Sequence, residues 1–112
     1  MLTPKEVAER HITAVKGGDP FLMAADYADD AILIRGNDTY TGKVEIYDYF
    51  KSVPSRLGSA KVEFTNVEIK EDTIVFDWLI SNSPTNASGQ DHLLIANGLI
   101  VKQEVFLQNS DF

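Results

Sequence analysis

From Gln90 to Leu107 two apolar-rich runs flank Asn97-Gly98. Two such runs around an Asn-Gly pair predict a β-hairpin, because that pair accepts the positive φ angles of a tight hairpin turn. A period of two puts Asp91, Leu93 and Ile95 on one face of the first strand, with His92, Leu94 and Ala96 on the other. On the second strand Gln103, Val105 and Leu107 alternate with Lys102, Glu104 and Phe106. Both faces carry apolar residues, so both need cover. Asp91 and Gln103 then fall among core positions, either as hydrogen-bonded polar groups or as members of a cavity. Upstream, Thr73–Ser81 predicts the strongest middle strand, with Ile74, Phe76, Trp78 and Ile80 set against Val75, Asp77 and Leu79. Val62 and Phe64 form another alternating run that resumes at Val67 and Ile69. The one-residue phase slip at Asn66 predicts a bulge.

Before about Ala60 the period is helical. Thr3-Pro4-Lys5-Glu6 reads as a capping box with proline in the first turn, and Gly17-Gly18 as the stop. Val7, His11 and Val15 make the inward stripe of that helix. Asp19-Pro20 starts a short second helix through Ala25, with Tyr27 near its end. Ala31 to Ile34 predicts an edge strand, and Arg35-Gly36-Asn37-Asp38 a turn. A third helix follows Gly42, from Lys43 to Lys51. Residues 52–59 and 82–89 read as loops. The result is one α+β domain over residues 1–112: three N-terminal helices packed in a strongly curved, mainly antiparallel sheet. Such a cone opens a pocket where helices meet sheet.

Composition narrows the chemistry. The 112 residues include no cysteine, which removes disulfides, thiolate catalysis and cysteine-rich metal sites and suits a reducing, cytoplasmic setting. Ten basic residues against seventeen acidic ones give a net charge of −7, with no basic cluster. That argues against nucleic acid or an anionic membrane as partner. The first residues lack an apolar leader pattern, and no apolar run approaches membrane-spanning length. No glycine-rich nucleotide loop is present, and the two histidines and the carboxylates show no metal-ligand spacing, so neither cofactor nor metal is expected.

The stretches ERHITAVKGGD, YADDAILI, TGKVEIYDYF and QDHLLIANGLIVKQEVFL, in that order and spacing, resemble the NTF2-like, SnoaL-like cone domains, a superfamily that includes ketosteroid isomerases. The resemblance spans essentially the whole chain and implies the same α+β cone. In the isomerases a first-helix tyrosine and a neutral aspartic acid on the penultimate strand donate to a developing enolate, while a second aspartate shuttles the proton. Here the neutral acid matches Asp91, the tyrosine position holds His11, and the shuttling position holds Arg35, which cannot act as a base near neutral pH. Steroid isomerisation is therefore not what the resemblance implies. It implies a pocket for a small apolar or amphipathic molecule, with isomerase, cyclase or dehydratase chemistry, or a noncatalytic ligand-binding or interaction domain on the same scaffold.

The candidate site follows. Asp91 and His11 are the candidate acid–base pair; the alternative for each is a structural hydrogen bond or ion pair. If they touch, pairing should raise the His11 pKa. Arg35 can hold a substrate carboxylate, or can neutralise Asp29, Asp30 or Asp38 at the edge. Trp78, Tyr27, Tyr49, Phe50 and Gln103 are candidate substrate contacts; the aromatic ones would serve equally well as core. His92 belongs to the opposite face. Val75, Leu79, Leu94, Ile100 and Phe106 would form an outer apolar face, which predicts a homodimer burying it.

Overall fold

The computed structural model describes residues 2–52, 61–81 and 87–107. Helix α1 spans Pro4–Gly17, opened by the Thr3/Glu6 capping box and closed by Gly18 at φ 73°. Helix α2, Pro20–Ala25, is capped by the Asp19 carboxylate. Strands β1 (Tyr27–Arg35) and β2 (Asp38–Thr41) precede helix α3 (Lys43–Lys51). Four long strands follow: β3 (Lys61–Lys70), β4 (Thr73–Ser81), β5 (Ala87–Ala96) and β6 (Leu99–Leu107). The sheet order is β2-β1-β6-β5-β4-β3, and every pairing is antiparallel except β1 with β6. The curved six-stranded sheet does not close on itself, and the helices lie on its inner face.

The pattern-based expectations of three helices, a sheet and the terminal hairpin match these elements. Asn97 and Gly98 take φ values of 55° and 77°, both positive, as a two-residue hairpin turn requires. The β3–β4 ladder shifts between Phe64 and Asn66, where the phase slip falls. The extra residue keeps Val67 and Ile69 on the face of Val62 and Phe64, which is the purpose of a bulge in a strand with one apolar side.

Four expectations are corrected. Tyr27 opens β1 rather than ending a helix. Its segment is drawn into the sheet by β6, with Ile100 N–H donating to Asp26 C=O at 2.8 Å and Tyr27 aligned with Ile100. For the same reason β1 is longer than Ala31–Ile34 and interior, and the edge belongs to β2. Ala87, Ser88 and Gly89 are strand, held by Ile80, Leu79 and Trp78 opposite; loop positions 53–59 and 82–86 lie outside the described residues. Ile100 is fully buried and faces inward, because the β5–β6 register shifts between Leu94 and Ile95 and pairs Ile95 with Ile100.

Core packing joins the two layers. Val7, Ala8 and His11 of α1, Met23 of α2, and Ile46, Tyr49 and Phe50 of α3 meet Leu33, Ile74, Phe76, Leu93 and Ile100 of the sheet. Asp26, buried beneath α1, is held by a two-point pair with Arg10: Nε to Oδ2 at 3.1 Å and a second guanidinium nitrogen to Oδ1 at 3.0 Å.

Candidate functional site

Ladder register puts the polar residues of the inner face in order. Residues aligned across neighbouring strands share a face, so Arg35 of β1, Val105 of β6, Asp91 of β5 and Phe76 of β4 form one transverse row. Arg35 and Asp91 thus stand two strand spacings apart, about 10 Å between backbones. Leu107, Gly89 and Trp78 form a second row, and Leu33, Gln103, Leu93 and Ile74 a third. Above the first two rows is a cavity open to solvent on one side. His11 and Val15 of α1 and Tyr49 and Phe50 of α3 close its helical side; Val62, Phe64 and Ile80 extend its apolar wall.

Asp91 is fixed at both oxygens. The Trp78 indole Nε1–H donates to Oδ1 at 3.0 Å, and the Gln103 amide donates to Oδ2 at 2.9 Å. The Gln103 amide is oriented in turn by the Tyr27 hydroxyl, which donates to its Oε1. Burial in the apolar wall pushes the Asp91 carboxyl up to about 6, against the opposing pull of the Trp78 and Gln103 hydrogen bonds. All its partners are neutral. Carboxylate oxygens have about four lone-pair directions, so two remain for a ligand. Burial first, and the Asp91 charge second, hold the Tyr27 phenol well above its ordinary pKa, so it remains a donor.

Gly89 makes this geometry possible. A Cβ there would lie 2.4 Å from Trp78 Cζ2 and 2.7 Å from the Phe106 carbonyl oxygen. The indole rests on bare backbone, and only that close approach lets its N–H reach Asp91. Sequence reasoning took Gly89 for a loop residue. Its signal was weak: a lone glycine one position before the alternating run.

His11 lines the same cavity at 3% exposure. Its ring stacks on Phe76 at 6.1 Å between centroids and meets Tyr27 and Phe50 edge-on, each at 5.8 Å. This aromatic cage pulls its pKa down to about 4 by desolvation, opposed by the nearby Asp26 charge and a hydrogen bond with the Met23 backbone. The rise expected if His11 and Asp91 touched does not arise, because its condition is not met. His11 and Asp91 share no hydrogen bond or ion pair; the carboxylate that acts on His11 is Asp26. At neutral pH the imidazole is uncharged, with Nδ1 buried and unpartnered.

Arg35 also lines the cavity, and its Nε is buried without a hydrogen-bond partner. No ion pair with Asp29, Asp30 or Asp38 forms. Of the candidate contacts, Trp78, Tyr49, Phe50 and Gln103 reach the cavity; Tyr27 does not, and acts from behind the wall through Gln103. His92 is on the outer face, stacked edge-on against Phe106 and bonded to Gln90. Among the described residues no group of three or more His, Asp or Glu side chains is placed to hold a metal, and no helix is long and apolar enough to cross a membrane.

The model of the SnoaL-like domain family matches residues 8–103, which takes in both His11 and Gln103. The chain belongs to that SnoaL-like family. Among curated proteins none matches it. Solved structures share its NTF2-like cone. A protein with a ketosteroid isomerase-like fold from Catenulispora acidiphila, solved in complex with trimethylamine, is 17% identical with a TM-score of 0.79, covering 98% of this chain and 90% of its own. An NTF2-like protein of unknown function from Cytophaga hutchinsonii is 8% identical with a TM-score of 0.79, covering 96% and 92%. A candidate polyketide cyclase from Sinorhizobium meliloti is 17% identical with a TM-score of 0.76, covering 88% and 92%. At these identities the likeness is one of fold.

Proposed function

We propose that this SnoaL-like domain is a cofactor-independent acid–base catalyst for a small, largely apolar carbonyl compound. The observation that carries the reading is Asp91: a carboxyl in an open apolar cavity, raised to about 6, clamped by neutral donors and paired with no cation. A group poised near neutrality can both take and return a proton. As carboxylate it would remove a proton from the carbon beside the carbonyl; as acid it would return that proton to another carbon. An isomerisation then balances with no other reactant. Cyclisation or dehydration could begin with the same abstraction. His11, kept neutral, offers an unpartnered ring nitrogen to a substrate oxygen. Tyr49, Phe50 and Trp78 would frame the apolar body, while Tyr27 and Gln103 would keep the Asp91 carboxyl in plane.

The test is deuterium uptake from heavy water at the α-positions of small aryl and cyclic ketones, with the Trp78 indole N–H resonance reporting occupancy of the cavity. The wild type should accelerate exchange and Asp91→Asn should not. Occupancy without acceleration would replace the catalytic reading by noncatalytic ligand binding on the same scaffold.

The proposal extends to assembly. Leu79, Leu94, Phe106 and Ile32 are 37–47% exposed on the outer sheet face, among Lys102, Glu104 and His92. Their spread across adjacent strands supports a homodimer burying that face. Sedimentation equilibrium giving only a 12.4 kDa species at micromolar concentration would refute it. The cysteine-free composition supports a cytoplasmic home.

A further inference from the structure

The cavity has two polar ends, Asp91 at one and Arg35 at the other. At the Asp91 end each carboxylate oxygen already has a donor within the protein, Trp78 on one and Gln103 on the other. At the other end, one row position beyond Val105, the Arg35 guanidinium faces the cavity with its Nε buried and unpartnered. A buried donor without an acceptor is unfavourable, and more so when it carries charge. The nearest aligned carboxylate is Asp38, opposite Arg35 on β2, and Asp91 stands across Val105. Neither forms an ion pair with Arg35, and the influences on the Asp91 carboxyl are burial, Trp78 and Gln103. The chain is acidic, with seventeen carboxylates against ten cations, and none of its acidic side chains pairs with Arg35 among the described residues. An unneutralised guanidinium in an apolar cavity selects an anion, and its planar fork matches a carboxylate.

We infer that the cavity takes an amphipathic organic carboxylate, with its carboxylate on Arg35, its apolar body along Val105 and Leu107 of β6, and its reacting carbonyl end at Asp91. This names the substrate class of the site proposed above and rests on that reading. The spacing adds a constraint. Because Val105 separates the two ends, the carboxylate is remote from the reacting carbon rather than attached to it. It serves to orient the molecule, and it places a fixed positive charge opposite a carboxyl that must gain and lose a proton.

Benzoylpropionate carries an aryl ketone and a remote carboxylate; benzoylpropionamide is its neutral counterpart. Both can be titrated into the intact protein at neutral pH, with the Trp78 indole N–H resonance as readout. The carboxylate should bind at least about tenfold more tightly than the amide, as one charge-assisted pair implies. Arg35→Gln should bring the carboxylate down to the affinity of the amide, and Arg35→Lys, which keeps the charge but not the fork, should fall between. If the wild type binds both equally, the anion assignment is overturned while the cavity reading stands. If neither probe binds, the cavity reading fails and takes the assignment with it. The comparison of the two probes on the wild type decides even if the Arg35 variants do not fold.

Discussion

Replacing Asp91 by Asn should make the protein's stability depend on pH differently by about 3 kcal/mol. The carboxyl is raised from 3.8 to about 6, roughly two pKa units at about 1.4 kcal/mol each. Below 3.8 the group is neutral in folded and unfolded chains alike. Between 3.8 and about 6 the unfolded chain gives up the proton while the folded one keeps it, so stability falls as pH rises. Above that window the wild type bears the full cost of a buried charge. Asn bears none, but it has one acceptor oxygen for two donors, Trp78 Nε1–H and the Gln103 amide, and that loss does not vary with pH. The quantity to measure is the unfolding free energy of wild type minus variant, from urea titrations at half-unit steps of pH, in which every other titrating group cancels. It should decline by about 3 kcal/mol from the acid side of the window to the alkaline side. A flat difference would mean that Asp91 is not desolvated. A difference rising with pH would mean a carboxylate salt-bridged to Arg35, a cation among the described residues lining the same cavity, and would remove the basis of the proposed chemistry.

His11 should show the opposite sign: lowered from 6.5 to about 4, it should cost the wild type about 3 kcal/mol relative to His11→Gln as pH falls through that range, in the same urea series. Because the two effects oppose each other between about 4 and 6, neither should be visible in the wild-type curve alone. The His11 ring titration, followed by NMR, should be unmoved by Asp91→Asn, since Asp26 is the charge that acts on it. Gly89→Ala should destabilise by about 1–3 kcal/mol through overpacking against Trp78 and the Phe106 carbonyl, and should displace the indole N–H resonance. Trp78→Phe removes the donor to Oδ1 and should move the Asp91 titration above about 6, read from its carboxyl carbon shift.

Local pattern was enough for most of the fold. A period of two, a period of 3.6, proline after a capping residue and glycine after a helix are short-range signals, and they produced α1, α3, β4 and the β5–β6 hairpin. The bulge near Asn66 was legible because a phase slip in an alternating run can keep one face apolar in only one way. Alternation also aimed Asp91, Gln103 and Trp78 at one face. Tyr27 and Ile100 escaped because their positions depend on each other: the parallel β1–β6 pairing joins segments about seventy residues apart, and the shift after Leu94 turns Ile100 inward. His11 shows the same limit in electrostatics. Its stripe on α1 predicted an inward ring, but whether Asp91 or Asp26 would face it, and whether pairing or desolvation would prevail, depended on how α1 sits over Phe76 and beneath Phe50 and Tyr27. The sequence by itself determined which residues could be inside. Their partners, and hence their charges, were decided by tertiary packing, because desolvation and hydrogen bonding depend on neighbours that are distant in the chain.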